Sequence, residues 1–354
     1  FENLFGVPYA DAIWYGAVAT ILYTFIGGFL AVSWTDTIQA SLMVFALLLT
    51  PLFVVLSMGS IDEIESTLAL AEAASGKNYN DMFSGTTVLG VLSLMAWGLG
   101  YFGQPHIVVR FMAAESVKSL KNARRISMAW MVICLVGAIG IGYFGMLYFF
   151  KFPEKASVVS QNNEQIFIEL AKLLFDPWTA GVLLSAILAA VMSTLSAQLL
   201  ICSSAITEDL YKGILRPKAS DRELIWLGRV MVLAVAGLAI YIAQDPNSQV
   251  FGLVKDAWAG FGSAFGPIVL LSLFWKRMNG FGAIAGMLTG ALVVYFWKDI
   301  TLWLTLPDVY SMIPGFFLAI LAIVIVSLIT PMPSQQVLET FDKANKAFLA
   351  EEKA

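Results

Sequence analysis

The chain has 354 residues, 59% of them hydrophobic and 13% charged, with a net charge of −4 and a mean hydropathy of +0.79. That is far more apolar than a water-soluble domain of this size, so water is excluded as its main solvent and no nucleic-acid partner is implied. The two cysteines, Cys134 and Cys202, lie inside apolar runs and suggest neither a disulfide framework nor a metal centre.

Apolar runs of bilayer-crossing length recur along almost the whole chain, and their continuity predicts helices rather than barrel strands. Nine spans are predicted, at 13–31, 38–58, 88–111, 126–150, 178–206, 225–242, 258–275, 283–303 and 312–329, with a polar, partly helical tail after 330. The expected class is an all-α polytopic membrane protein: a transmembrane bundle over 1–330 and a cytoplasmic tail over 331–354.

The first two spans are joined by GGFLAVSWTDTIQ, read as a short cytoplasmic turn whose only charge is Asp36. Asp36 reads as a cap on the second helix, with Gln39 three positions later completing a capping box, and equally as a contact beside a gate. The third span ends in AWGLGYFGQPH, where Gly98, Gly100, Gly103 and Pro105 crowd into eight residues. Each Gly weakens a helix and Pro removes a donor, so an interrupted helix is predicted, with backbone groups freed at membrane depth. Trp97 and Tyr101, four apart, would offer aromatic surface on one face of the break. The plainer reading is a kink beside interfacial aromatics. Arg110 and His106 follow the break, and Arg110 reads first as a side chain reaching toward the headgroups.

The fifth span carries SAILAAVMSTLSAQL, a small-residue helix with hydroxyls at Ser193, Thr194 and Ser196. Hydroxyl and carbonyl oxygens suit a hard monovalent cation, although such hydroxyls also bond back to carbonyls one turn earlier or join helices. The following SSAITEDLYKGILR is read as a solvated cytoplasmic cap. In the seventh span Gly266 and Pro267 predict another interruption, ahead of Lys276 and Arg277.

Lys and Arg fall mainly in alternate loops. Those after the third, fifth and seventh spans, together with Lys343, Lys346 and Lys353 of the tail, hold fifteen of the 21. The start of the chain is therefore expected outside and the tail in the cytoplasm.

Taken in order, GGFLAVSWTDTIQ, AWGLGYFGQPH, AAVMSTLSAQ with SSAITEDLY, and AFGPIVLLSLFWKRMNGFGAIAGM resemble the sodium/solute symporter family, and within it the sodium/proline branch. The resemblance implies a LeuT-type fold of two inverted five-helix repeats, with the nine spans standing for core helices four to ten and two accessory helices. On that likeness a leading helix and core helices one to three would precede Phe1, so a front-truncated chain is expected, with half of each site outside it. The resemblance further implies Na+ held by the Ala190 carbonyl with the Ser193 and Thr194 hydroxyls, and proline packed by Trp97 and Tyr101 where Pro105 shapes the unwound stretch. Asp36 resembles an acidic residue tied to the ion response, and with Arg110 stands as a gating or coupling candidate.

The expected activity is sodium-driven symport of a small amino acid, L-proline, across a bacterial inner membrane, with no enzymatic step. Another solute such as a sugar, carboxylate or vitamin, or a symporter-like sensory module, stays open at this point. The oligomeric state is not legible.

Overall fold

The computed structural model describes residues 6–83, 85–244, 250–305, 307 and 309–352, and these are helical with short connections. In chain order the α-helices are α1 (Tyr9–Met58), α2 (Ile61–Ser75), α3 (Val88–Met95), α4 (Trp97–Gly100), α5 (Pro105–Met112), α6 (Val117–Lys151) and α7 (Ile166–Leu174). They continue with α8 (Pro177–Ser204), α9 (Asp221–Ile242), α10 (Val250–Phe274), α11 (Gly280–Leu304), α12 (Met312–Ile329) and α13 (Gln335–Glu352). Among the described residues seven helices, α1, α6 and α8 to α12, are long and apolar enough to cross a membrane. The nine predicted spans differ from these seven because the first two share α1 and the third falls on a short, broken run. Lys353, counted above with the tail, lies outside the described residues. The chain forms two compact units, one of Phe1–Asp81 with Arg125–Pro246 and one of Met82–Arg124 with Asn247–Ala354.

In the first unit, α1 holds 50 residues, which as one straight helix would extend about 75 Å, more than twice the hydrocarbon thickness. The helix does not run straight. Gly28 leaves helical geometry at φ 56°, ψ −150°, and its two arms run along α8 in opposite senses. Tyr23 donates to the Met192 carbonyl, Gly28 lines one cavity with Ser204, and Ala46 returns to pack with Leu183 and Ala186. The reversal thus takes one residue, not the turn through 27–39 that the sequence predicts. Asp36 and Gln39 lie inside the second arm and not at a helix start, because Asp36 stands about two turns past Gly28. Side chains rarely adopt the Gly28 torsions, so Gly28→Ala should destabilise the protein by about 1–3 kcal/mol. Thermal unfolding in detergent measures this, and an unchanged transition would contradict the strained geometry.

The second arm of α1 ascends beside α6 in the same direction, with Ala40 facing Trp130, Leu47 facing Gly137 and Met58 facing Lys151. Pro51 donates no hydrogen bond to the Leu47 carbonyl one turn earlier, and that oxygen lies where a Cβ on Gly137 would come within 2.4 Å. Where both helices end, Lys151 donates to the Met58 carbonyl and pairs with Glu63 of α2 at 2.7 Å. Beneath lies a core of Val54, Met58, Ala71, Ile141, Leu147 and Leu170.

The Lys151 hydrogen bond, and then its charge, hold the Glu63 carboxyl below its ordinary 4.5. A depressed carboxylate contributes stability that is present above its ordinary value and is lost as pH falls through the depressed one. Glu63→Gln should therefore flatten the acid limb of a stability-against-pH curve, and superimposable curves for variant and parent would refute the tie.

Helix α8 opens on Pro177, behind Asp176, whose carboxylate accepts from the Trp178 and Thr179 amides. The segment read as a solvated cap continues α8 as π-helix over Ala205–Leu215, mostly exposed, with Thr207 buried and Tyr211 donating to Glu223 of α9. Cys134 is buried, whereas Cys202, on α8, is exposed.

In the second unit, α10, α11 and α12 pack closely. Gly282 and Gly286 of α11 lie against Ser327 and Ile323 of α12, and Gly290 against the Ser263 carbonyl of α10. The interruption predicted at Gly266 and Pro267 is absent, since α10 is helical throughout Val250–Phe274. Gly266 instead makes room for the Phe316 ring. The turn between α10 and α11 is tied to the end of α12 by Arg277, which donates to the Thr330 carbonyl, and by Asn279, which donates to Thr330 and Pro331.

Candidate functional site

The run 88–112 is broken where its glycines and proline predict. Helices α3 and α4 lead into a 3-10 turn over Tyr101–Gly103, Gln104 is extended at φ −84°, ψ 113°, and Pro105 opens α5 at a position where its missing N–H costs nothing. The break is possible because α10 comes against it almost without side chains between. A Cβ on Gly103 would lie 2.4 Å from the Phe261 carbonyl and 2.8 Å from Gly262, and one on Gly100 would enter the Trp258 indole.

Trp258 organises the aromatic side chains around this break. Its indole donates to the Trp97 carbonyl at 3.0 Å, and buried Gln104 donates to the Trp258 carbonyl at 3.2 Å. Polar groups freed near the interruption are thus met by protein. Trp97 stacks on Trp258 at 5.2 Å, with Phe251 and Tyr310 in near-parallel planes at 6.1 and 6.2 Å, and Tyr101 meets Trp258 edge-on at 4.9 Å. Trp97 and Tyr101 therefore do share one neighbour, as their spacing predicts. Trp258, Gln104 and Tyr310 were not singled out in the sequence. Gln104 carried a signal, as a lone amide between Gly103 and Pro105, but Trp258 marked only the edge of a span.

The same unit holds a cavity of about 1270 Å³ lined by Trp97, Phe251, Lys255, Asp256, Phe261 and Tyr310 among others. Tyr310, between α11 and α12, donates to the Lys255 carbonyl at 2.7 Å while Lys255 lies over its ring. Burial, and then the nearby Asp256 charge, push the Tyr310 phenol up to about 12, so it stays a neutral donor.

The candidate ion-binding residues lie in the other unit, on α8. The Thr194 hydroxyl donates to the Ala190 carbonyl at 3.0 Å, and Ser196 to the Ser193 carbonyl at 3.0 Å. The back-bonding read from the pattern is thus present for Thr194. It also brings two of the three proposed oxygens together, because a carbonyl at i points along the helix toward side chains at i+3 and i+4. Ser193 is half-buried, and its hydroxyl has no hydrogen bond among the described residues. Three neutral oxygens on one helix face have the chemistry a hard monovalent cation takes. Asp36 is half-buried with one carboxylate oxygen shielded from solvent, and Arg110 is exposed on α5.

The Sodium:solute symporter family matches residues 1–290. A sodium/proline symporter of Haemophilus influenzae is 65% identical over 352 residues, covering 98% of this chain and 69% of the relative. Sodium/proline symporters of Salmonella typhimurium and Escherichia coli are 58% and 57% identical, each match covering 98% of this chain and 67% of the relative. The chain thus spans about two thirds of the length of these relatives. Among solved structures, a Na+-coupled sialic acid symporter in a substrate-bound outward-open state shares the fold, with a TM-score of 0.73, 20% identity, and coverage of 95% of this chain and 70% of that one. With its family signature, its close relatives and seven apolar helices of bilayer length, this chain belongs to the sodium:solute symporter family and is a multi-pass membrane protein.

Proposed function

We propose that the chain carries sodium-coupled symport of a small amino acid, L-proline, into the cell by alternating access, without covalent chemistry on the solute. The observation that carries this reading is the identity of 57% or more, over nearly the whole chain, to relatives named sodium/proline symporters. The geometry supports it. An interrupted helix flanked by Trp97 and Tyr101 offers π faces to the C–H bonds of a pyrrolidine ring, with Pro105 starting the helix beyond the unwound stretch.

Sodium, as co-substrate, would be held by the Ala190 carbonyl with Ser193 and Thr194. A ligand shifts an equilibrium between states only by binding one of them better. Sodium at α8 would do so by favouring the outward-open, high-affinity state, with Asp36 and Arg110 acting at the gates. We read α1 as two crossings and 88–112 as one broken crossing, which gives nine, corresponding to core helices four to ten and two accessory helices of an inverted-repeat LeuT-type fold. The bundle comprises 1–330 and the tail 331–354. The Lys and Arg distribution supports an outside start and a cytoplasmic tail in a bacterial inner membrane.

The test is uptake of labelled proline by vesicles containing the protein, with and without a sodium gradient. Sodium-stimulated uptake is expected. Trp97→Ala and Tyr101→Ala should each weaken proline affinity by roughly threefold to tenfold, the equivalent of one aromatic contact of about 0.5–1.5 kcal/mol. Proline uptake indifferent to both substitutions would favour a different solute.

A further inference from the structure

Helix α13 is amphipathic. Val337, Phe341, Ala344 and Phe348 follow one another at spacings of four, three and four, which places them on one stripe, while Glu339 and Lys346 stand opposite. Most of this stripe is uncovered by the chain: Val337 is 53% exposed and Phe348 50%.

The way the helix is held says what covers it. It starts six residues after α12 ends at Ile329, and the connecting carbonyls of Thr330 and Pro331 are gripped by Arg277 and Asn279 in the turn between α10 and α11. Two turns further on, Asp342 takes both its carboxylate oxygens to Lys276 of that same turn, at 2.6 and 2.7 Å. A helix leaving along the membrane normal would carry Asp342 about 10 Å away from its start and from that turn. The segment that leads into α13 and the middle of the helix are thus both tied to the turn between α10 and α11, which keeps α13 beside that turn instead of extended away from it. The apolar stripe then continues the exposed belt formed there by Phe274, Ile329 and Met332, which are 81%, 77% and 66% exposed.

We propose that α13 is an interfacial helix, laid along the boundary between headgroups and acyl chains of the protein's own bilayer, with Val337, Ala344 and Phe348 facing lipid and Glu339 and Lys346 facing water. The Lys276–Asp342 pair fixes its direction along the surface.

Spin labels placed one at a time by Val337→Cys, Phe348→Cys, Glu339→Cys and Lys346→Cys test this, in the full chain with Cys134 and Cys202 replaced by alanine. The protein is reconstituted in phosphatidylethanolamine and phosphatidylglycerol vesicles, and collision with oxygen is compared with collision with a water-soluble nickel chelate. Labels at 337 and 348 should be accessible to oxygen and protected from nickel, and those at 339 and 346 the reverse. Nickel access at 337 and 348 equal to that at 346 would make the helix a solvated tail and overturn the proposal. Protection of 337 and 348 from both reagents would mean that protein, such as a second copy, covers the stripe, and would overturn it equally. Positions 337 and 348 lie in different turns, so a local disturbance by one label leaves the other as a reading of the same face.

Discussion

Replacing Ser193 and Thr194 together by alanine is expected to raise the sodium concentration for half-maximal uptake by roughly a hundredfold or more. Each oxygen removed is a neutral dipole facing a cation, and bonds of that kind contribute about 1.5–3 kcal/mol. The geometry adds a finer expectation. Thr194 donates its proton to the Ala190 carbonyl at 3.0 Å, which leaves lone pairs on both oxygens to face an ion. Thr194→Ser keeps the hydroxyl and should lie near the parent, whereas Thr194→Val, with the same shape and no oxygen, should resemble alanine. A sodium dependence unmoved in the double alanine variant would remove α8 from the ion site.

Gly103→Val should abolish transport while leaving the protein in the membrane. The positions a Cβ would meet are backbone: the Phe261 carbonyl at 2.4 Å, Gly262 at 2.8 Å and the Gly266 amide at 2.8 Å. Flexible side-chain ends could yield, but two helices in contact cannot, and overpacking of this kind costs about 1–3 kcal/mol locally. The displacement would be felt first at Gln104 and Pro105, where the unwound stretch begins. Gly98→Val is the control, because nothing lies within 4 Å of that position. Uptake by Gly103→Val comparable to that control would show that the close approach to α10 is dispensable.

These variants sort what was legible in the sequence from what was not. The break at 98–105 could be read because its cause is local: clustered Gly and a Pro remove helical preference wherever they stand. The reversal in α1 was misplaced because Gly27 and Gly28 were read as entering a polar loop, and the Ser-Trp-Thr-Asp stretch behind them is helical once Ser33, Thr35 and Thr37 bond back to earlier carbonyls. Pro267 was over-read, since a membrane helix keeps its course through a proline when neighbouring helices hold it there. The spacing of Trp97 and Tyr101 put both on one face of the break, while their role as candidate site residues came from the family resemblance. Their common partner Trp258 is 161 residues from Trp97 along the chain, and only packing brings it near.

The single-residue joint at Gly28 also bears on how the first unit would move. A loop of ten residues between two crossings would let each tilt alone, its slack absorbing the difference. Here one pair of torsions links rods that share α8 as a track, so leaning one rod must twist that pair or drag the other with it. Stiffness at this spot is therefore common to both arms, and neither has an independent hinge where they meet.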